Sequence, residues 1–197
     1  MPLKPVLSHE DKERLKYDLQ ILCEQLWKSQ GYKRTSIKEL CTKTKIAIGT
    51  FYALFPTKEA LFFETSLAIQ NRLKEQFMET LRRQPSKSGF AEALKELFRE
   101  FDRNPFLYDV NTPDFRSFVT KLSEDEMHAL KFESLEFFEA ALQVADLKPK
   151  IDQAKSYAVF SALLSTITTK QTIAALYNYF DVFDYMADTL VKELFDE

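Results

Sequence analysis

Six basic side chains, Lys33, Arg34, Lys38, Lys43, Lys45 and Lys58, stand against a single acid, Glu39, between Gly31 and Lys58. Ammonium and guanidinium groups at that density attract phosphate, and a nucleic-acid backbone is the polyanion that rewards a row of them. Among these charges lie Ile48, Gly49, Thr50 and Tyr52, whose small, apolar or hydroxylic groups suit contact with base edges in a groove. The chemistry on offer is recognition rather than bond making. The two histidines, His9 and His128, have no Glu three residues ahead of them, so the paired Glu-x-x-His elements of a metal-carboxylate bundle are lacking. Asp125 and His128 have ligand spacing on a helix but no second copy, which reads as a surface pair. There is no Gly-rich phosphate loop, HExxH, GxSxG or CxxC. No catalytic residue, metal site or cofactor is assigned.

Groups that read a surface must be held by rigid elements. Thr35 or Ser36 can cap a short helix, with Glu39 placed to close a capping box, and Ile37, Leu40 and Cys41 share its apolar face. Thr44-Lys45-Ile46 breaks the pattern. Ala47 to Leu54 forms a second short segment, anchored by Phe51 and Phe55, with Ile48, Gly49, Thr50 and Tyr52 facing outward. Pro56 cannot continue it, and Thr57 caps the next helix with Lys58 and Glu59 in its first turn. Two short helices joined by a tight turn describe a helix-turn-helix, with Ala47–Leu54 as the recognition helix. Ahead of it, Ser8 caps a helix with Asp11 at the capping-box position. Leu15, Leu19, Leu22, Cys23, Leu26 and Trp27 form its buried stripe, and Gly31 ends it.

This stretch closely resembles the DNA-binding domain of the TetR family of bacterial transcriptional regulators. The resemblance rests on Gly31, Thr35, Ile37, Leu40, Ile46, Gly49-Thr50-Phe51-Tyr52, Phe55-Pro56, Lys58-Glu59 and Leu61. Two residues depart from the family pattern. Lys45 stands where the family usually has a turn glycine, and Ala47 where it has Ser or Thr as cap. A Lys in a left-handed turn costs roughly 1 kcal/mol relative to Gly, and Ala is a poor cap. The resemblance makes Thr35, Tyr52 and Lys58 phosphate contacts, joined by Lys33, Arg34, Ser36 and Lys45. Ile48 and Thr50 would meet base edges, Ile48 on a thymine methyl, with Ala47 and Leu54 as weaker contacts.

The whole chain of 197 residues, 45% hydrophobic with three Gly and abundant Leu, Phe, Lys and Glu, reads as all-α, with about nine helices. Its net charge of −3 hides an asymmetry. Residues 1–60 carry 11 Lys and Arg against 7 Asp and Glu, or +4, and residues 61–197 carry 16 against 23, or −7. A basic head on an acidic body suits a nucleic-acid reader joined to a part that need not touch DNA. No run approaches the ~18 apolar residues of a membrane span, and no signal-peptide core is present. Cys23 and Cys41 fall on apolar helical faces and read as buried thiols of a cytoplasmic protein, not a disulfide.

The expected division is a three-helix DNA-binding domain over 1–56 and a helical effector-binding and dimerisation bundle over 57–197. The periodicity predicts a linking helix from Thr57 to about Gln84, a break at Pro85–Gly89 and a helix over Phe90–Asp102. Short, proline-broken helices follow over Asn104–Ser123. Longer ones are expected over Ser123–Ala145 and Ile151–Tyr177, then a last helix capped by Asp181 and ending near Phe195.

Sixteen of the 18 Phe lie after residue 60. By resemblance this is the family's variable effector domain, enclosing a pocket for a small, largely apolar molecule. Its wall would come from Phe77, Phe98, Phe101, Phe106, Tyr108, Phe115, Phe118, Phe138, Tyr157 and Phe160. Ala154, Ala158, Ala162 and Ser165 form a small-residue ridge, and Phe183, Met186, Leu190 and Leu194 a helical stripe. Through these two helices the family forms a four-helix dimer interface. A homodimer places two heads about 34–36 Å apart on a palindromic duplex, and ligand would lower affinity by a coupling of about 1–3 kcal/mol, giving a repressor. Two other readings stand beside this one: a DNA-binding or interaction protein whose aromatic domain is solid core, and a helical-bundle enzyme.

Overall fold

The computed structural model describes residues 8–104, 112–130 and 135–196. Among them the chain is all-α, in two compact units. One gathers residues 8–69 and 112–130, the other residues 70–104 and 135–196. No helix among the described residues is long and apolar enough to cross a membrane.

The first unit begins with α1 (His9–Arg34), capped by Ser8, whose Oγ accepts from the Asp11 amide. Leu19, Cys23, Leu26 and Trp27 are buried along it, as their spacing requires. At Gly31 the backbone turns to φ 84°, ψ 170°, so the last residues of α1 lie beyond a kink. Then come α2 (Ile37–Thr44), α3 (Ile48–Leu54) and the first part of α4 (Lys58–Arg83), entered through Thr57, whose Oγ1 accepts from the Ala60 amide. The unit is completed by α6 (Pro113–Val119) and α7 (Glu124–Ala129). Phe118 of α6 is fully buried, with its ring 5.2 Å from Trp27 and 6.0 Å from Phe62. An aromatic from far along the chain thus completes the core of the head.

The second unit takes the rest of α4 with α5 (Lys87–Arg103), α8 (Leu135–Ala145), α9 (Gln153–Ser165), α10 (Lys170–Ala174) and α11 (Tyr179–Leu194). Two aromatic clusters fill it. Phe90 meets Phe77, Phe138, Phe160 and Phe195 at ring separations of 5.4–6.2 Å. Phe98 stacks on Phe183 at 3.4 Å, beside Tyr179. Arg99–Asp184 at 2.6 Å and Lys95–Asp188 at 2.7 Å repeat the i, i+4 spacing on both α5 and α11 and fix their register.

Three element boundaries differ from the sequence reading. The helix expected over Ser123–Ala145 is two, because α7 buries none of its residues and so has no packed face to extend it, whereas α8 buries Phe138, Ala141, Leu142 and Ala145. The helix expected over Ile151–Tyr177 tightens into a 3-10 turn at Thr166–Thr169. There the hydroxyls of Ser165, Thr166, Thr168 and Thr169 each donate to the carbonyl three residues back, which draws the backbone out of α geometry. The last helix is capped by Asn178, whose Oδ1 accepts from the Phe180 and Asp181 amides, and not by Asp181.

Candidate nucleic-acid interface

Ser36 caps α2, its Oγ accepting from the Glu39 amide at 3.2 Å. The Glu39 carboxylate accepts from Gln30 Nε2 at 2.8 Å and pairs with Lys43 at 3.1 Å. At the end of α2, Lys45 adopts φ 57°, ψ 35°, the left-handed conformation a glycine would take without strain. The Ile46 amide then bonds Cys41 O at 3.0 Å, closing the turn. Ala47 follows as the N-cap of α3 with no side-chain hydrogen bond.

The face of α3 turned to the protein is carried by Phe51 and Leu54, with Phe55 just beyond its end; Phe51 and Phe55 are fully buried at a ring separation of 5.9 Å. Its opposite face is bare. Ile48 is 51% and Tyr52 52% exposed, Gly49 and Ala53 are exposed, and Thr50 is half-buried. A Cβ on Gly49 would meet nothing within 4 Å, so its lack of a side chain serves no packing inside the protein.

Lys33, Arg34, Ser36, Lys45 and Ala47 are also exposed. The structure places two of the expected phosphate contacts differently. Thr35 is fully buried, and its hydroxyl donates to Gly31 O at 2.8 Å, which locks the entry into α2. Lys58 turns inward, donating to Tyr32 O at 2.6 Å with its Nζ 4.0 Å above the Tyr32 ring, and burial lowers its pKa. Both side chains are occupied in building the head.

Around Tyr32 lies a polar cluster that sequence reasoning missed. The Asp114 carboxylate accepts from the Tyr32 amide at 2.6 Å and the Lys33 amide at 2.9 Å. The Tyr32 hydroxyl donates to Glu59 Oε1, and Lys121 Nζ donates to that hydroxyl at 2.8 Å and to Glu59 Oε1 at 2.9 Å. Burial works to raise the Glu59 pKa, but the hydrogen bonds from Tyr32 and Lys121 overcome it and hold the carboxyl at about 2. Burial and the Glu59 partner push the Tyr32 phenol up. Pro113-Asp114 after Thr112 signals a helix start in the sequence, but nothing there tells that its carboxylate closes on residues 32 and 33.

In the second unit Phe77, Phe138, Tyr157 and Phe160 gather with Phe90, Phe137, Leu94, Leu97 and Leu164 around an apolar cavity of about 40 Å³. Phe98 belongs to the separate stack with Phe183. Phe101 is buried on α5. Phe115 and Phe118 pack in the head unit, not with this cluster, and Phe106 and Tyr108 lie outside the described residues. A polar cleft of about 440 Å³ between α4 and α5 is lined by Thr80, Arg83, Glu96, Arg99, Glu100 and Arg103 among others. Among the described residues no group of three or more His, Cys, Asp or Glu could hold a metal ion.

Ala154, Ala158, Ala162 and Ser165 lie exposed along one face of α9. Met186, Leu190 and Leu194 are half-buried on α11, but Phe183 is fully buried against Phe98 and cannot serve an intermolecular surface.

Residues 24–65 match the profile of the bacterial regulatory proteins, tetR family. No curated protein matches the chain in sequence. Solved structures match it in fold. A protein of Mesorhizobium loti MAFF303099 assigned to the TetR-family transcriptional regulators aligns with TM-score 0.65 at 17% identity, over 92% of this chain and 95% of its own. The fatty acid degradation regulator FadR of Bacillus halodurans gives TM-score 0.65 at 14% identity, over 91% and 96%. FadR of Bacillus subtilis, solved with stearoyl-CoA, gives 0.61 at 14% identity, over 90% and 98%. At such identities the likeness is one of fold, and it extends across both units. Residues 24–65 therefore match the tetR family of bacterial regulatory proteins, and the chain shares the fold of solved TetR-family regulators.

Proposed function

We propose that the protein is a cytoplasmic, homodimeric transcriptional repressor that sits on a palindromic operator and is released by a small, largely apolar ligand. Residues 1–56 would read the DNA, and residues 57–197 would bind effector and dimerise, with α6 and α7 lending their packing to the head. The observation that carries the reading is the bare face of α3, held by Phe51 and Phe55, on a stretch of chain whose Lys33, Arg34 and Lys45 are all exposed. A helix fixed from behind and open in front, among phosphate-attracting charges, is built to enter a major groove. The exposed small-residue face of α9 supports a close-packed partner helix. α4 runs unbroken from Lys58 to Arg83 and so passes from one unit to the other, which supports it as the element through which ligand would act on the reader.

A second reading is favoured by the size of the apolar cavity. About 40 Å³ holds little more than a water molecule, against roughly 300–1,000 Å³ for a ligand pocket. On this reading the aromatic unit is a packed core, and the protein binds DNA without an effector. One experiment separates the two. Operator is selected from random duplexes at two salt concentrations, and the purified complex is then titrated with long-chain fatty acyl-CoA, the ligand class of the Bacillus subtilis FadR structure, and with a panel of apolar compounds. Release by one of them supports the repressor with an effector. Tight, palindromic binding that no compound relieves supports the second reading. No palindrome at either salt would remove both.

A further inference from the structure

We propose that the half-site under α3 is thymine-rich and is read through the 5-methyl groups of thymine rather than through hydrogen bonds to base edges. This deepens the DNA-binding reading above and rests on it. Guanine and adenine are distinguished in the major groove chiefly by bidentate donors, Arg or Lys to guanine and Asn or Gln to adenine. The seven residues of α3, Ile48-Gly-Thr-Phe-Tyr-Ala-Leu, hold none of these four types. Its outward groups are the exposed aliphatic chain of Ile48, the exposed Gly49 and Ala53, the half-buried Thr50 and the ring of Tyr52, and the preceding Ala47 adds another methyl. The side-chain hydrogen-bonding capacity of this outward surface is two hydroxyls, those of Thr50 and Tyr52.

An aliphatic side chain pressed against the groove floor favours a thymine methyl, which it covers, over guanine N7 and O6, which it would strip of water without a replacing donor. Gly49 strengthens the case. Its missing side chain answers to nothing within the protein, and so leaves the backbone free to approach a groove closely. The charge of this stretch of chain is complementary to the occupant, with Lys33, Arg34, Lys38 and Lys45 all exposed. Affinity therefore comes mostly from phosphate and discrimination mostly from methyl contacts, which gives steep salt dependence with a modest preference per base.

The test uses the full chain and the best duplex recovered from a random library, with each thymine replaced in turn by deoxyuridine. Deoxyuridine keeps the base edge and lacks only the methyl. At the contacted positions the Kd is expected to rise about fourfold per methyl, the fold-change equivalent to ~0.8 kcal/mol. Ile48→Ala, at an exposed position that leaves the fold untouched, is expected to bind the thymine duplex more weakly and to lose its response to deoxyuridine at the same base. A recovered half-site whose central positions are G·C, or a Kd unchanged by every deoxyuridine, overturns methyl readout while leaving the protein a DNA binder. Failure to bind any duplex even at low salt overturns it together with the reading beneath it.

Discussion

The carboxylate of Asp114 occupies the space into which a side chain on Gly31 would project: a Cβ there would meet Asp114 Oδ2 at 2.8 Å. The glycine's φ of 84° and ψ of 170° fall in a region that only glycine adopts freely, and this conformation turns the Tyr32 and Lys33 amides toward Asp114. Gly31→Ala is therefore expected to cost about 1–3 kcal/mol from the backbone alone, and more from displacing the carboxylate. Urea unfolding reads the loss. In an Asp114→Ala background the additional cost of Gly31→Ala should shrink, because the obstructing carboxylate and its two hydrogen bonds are already gone. Equal costs in both backgrounds would mean that the two residues are not coupled.

Lys45 offers the opposite case. Held at φ 57°, ψ 35°, it carries strain that a glycine would not, so Lys45→Gly should stabilise the head by about 1 kcal/mol. The same change removes an exposed positive charge beside the recognition helix, and DNA affinity should fall with a salt slope reduced by about 1. A variant that melts higher and binds weaker would show that the charge is kept for function at the expense of the turn. Unchanged affinity would place Lys45 away from the phosphates.

Glu59 gives the head a defined acid response. Its folded pKa is about 2 against an ordinary value of 4.5, so the folded state holds the carboxylate ionised where the unfolded chain would protonate it. A depressed carboxyl contributes stability that is complete above the unfolded value and is lost as pH falls through the window from about 4.5 to about 2. Glu59→Gln should flatten the fall in unfolding free energy across that window and lower stability at pH 7, where the charged bond from Lys121 is lost. A stability curve of the same slope in both proteins would show that other carboxyls govern acid unfolding.

The helix-turn-helix was legible because its determinants are local. Ser36 capping, the Phe51 and Phe55 anchors, the turn at Lys45 and the outward set on α3 all follow from residues within four positions of one another. The helices of the second unit were legible as helices for the same reason. The partners of side chains were not. Phe115 and Phe118 read as pocket wall because aromatics at helical spacing look alike whichever core they enter, and only the tertiary fold brings Phe118 to Trp27. Lys58 read as a phosphate contact through its place in the motif and at the start of a helix; nothing local reveals that the Tyr32 carbonyl and ring wait for it. The 3-10 turn at Thr166–Thr169 was readable in principle, since a run of hydroxyls competing for backbone carbonyls is visible in the sequence itself.

Phe183 packs within the subunit, and Ala158 is where the proposed packing between subunits can be tested. Phe183 lies stacked at 3.4 Å on Phe98 and fully buried, so Phe183→Ala should open a cavity and cost about 3–5 kcal/mol at any protein concentration. Ala158 is exposed on α9 with Ala154 and Ala162 one turn to either side, and a larger, charged side chain there has open space in the isolated subunit. Ala158→Glu should leave the thermal unfolding of the dilute protein nearly unchanged while shifting the sedimentation coefficient from that of a dimer to that of a monomer. Loss of the second head then weakens operator binding, because the two half-sites no longer act together. If Ala158→Glu sediments as a dimer, the α9 face is not the contact between subunits. If it unfolds like Phe183→Ala, that face is packed within the subunit after all.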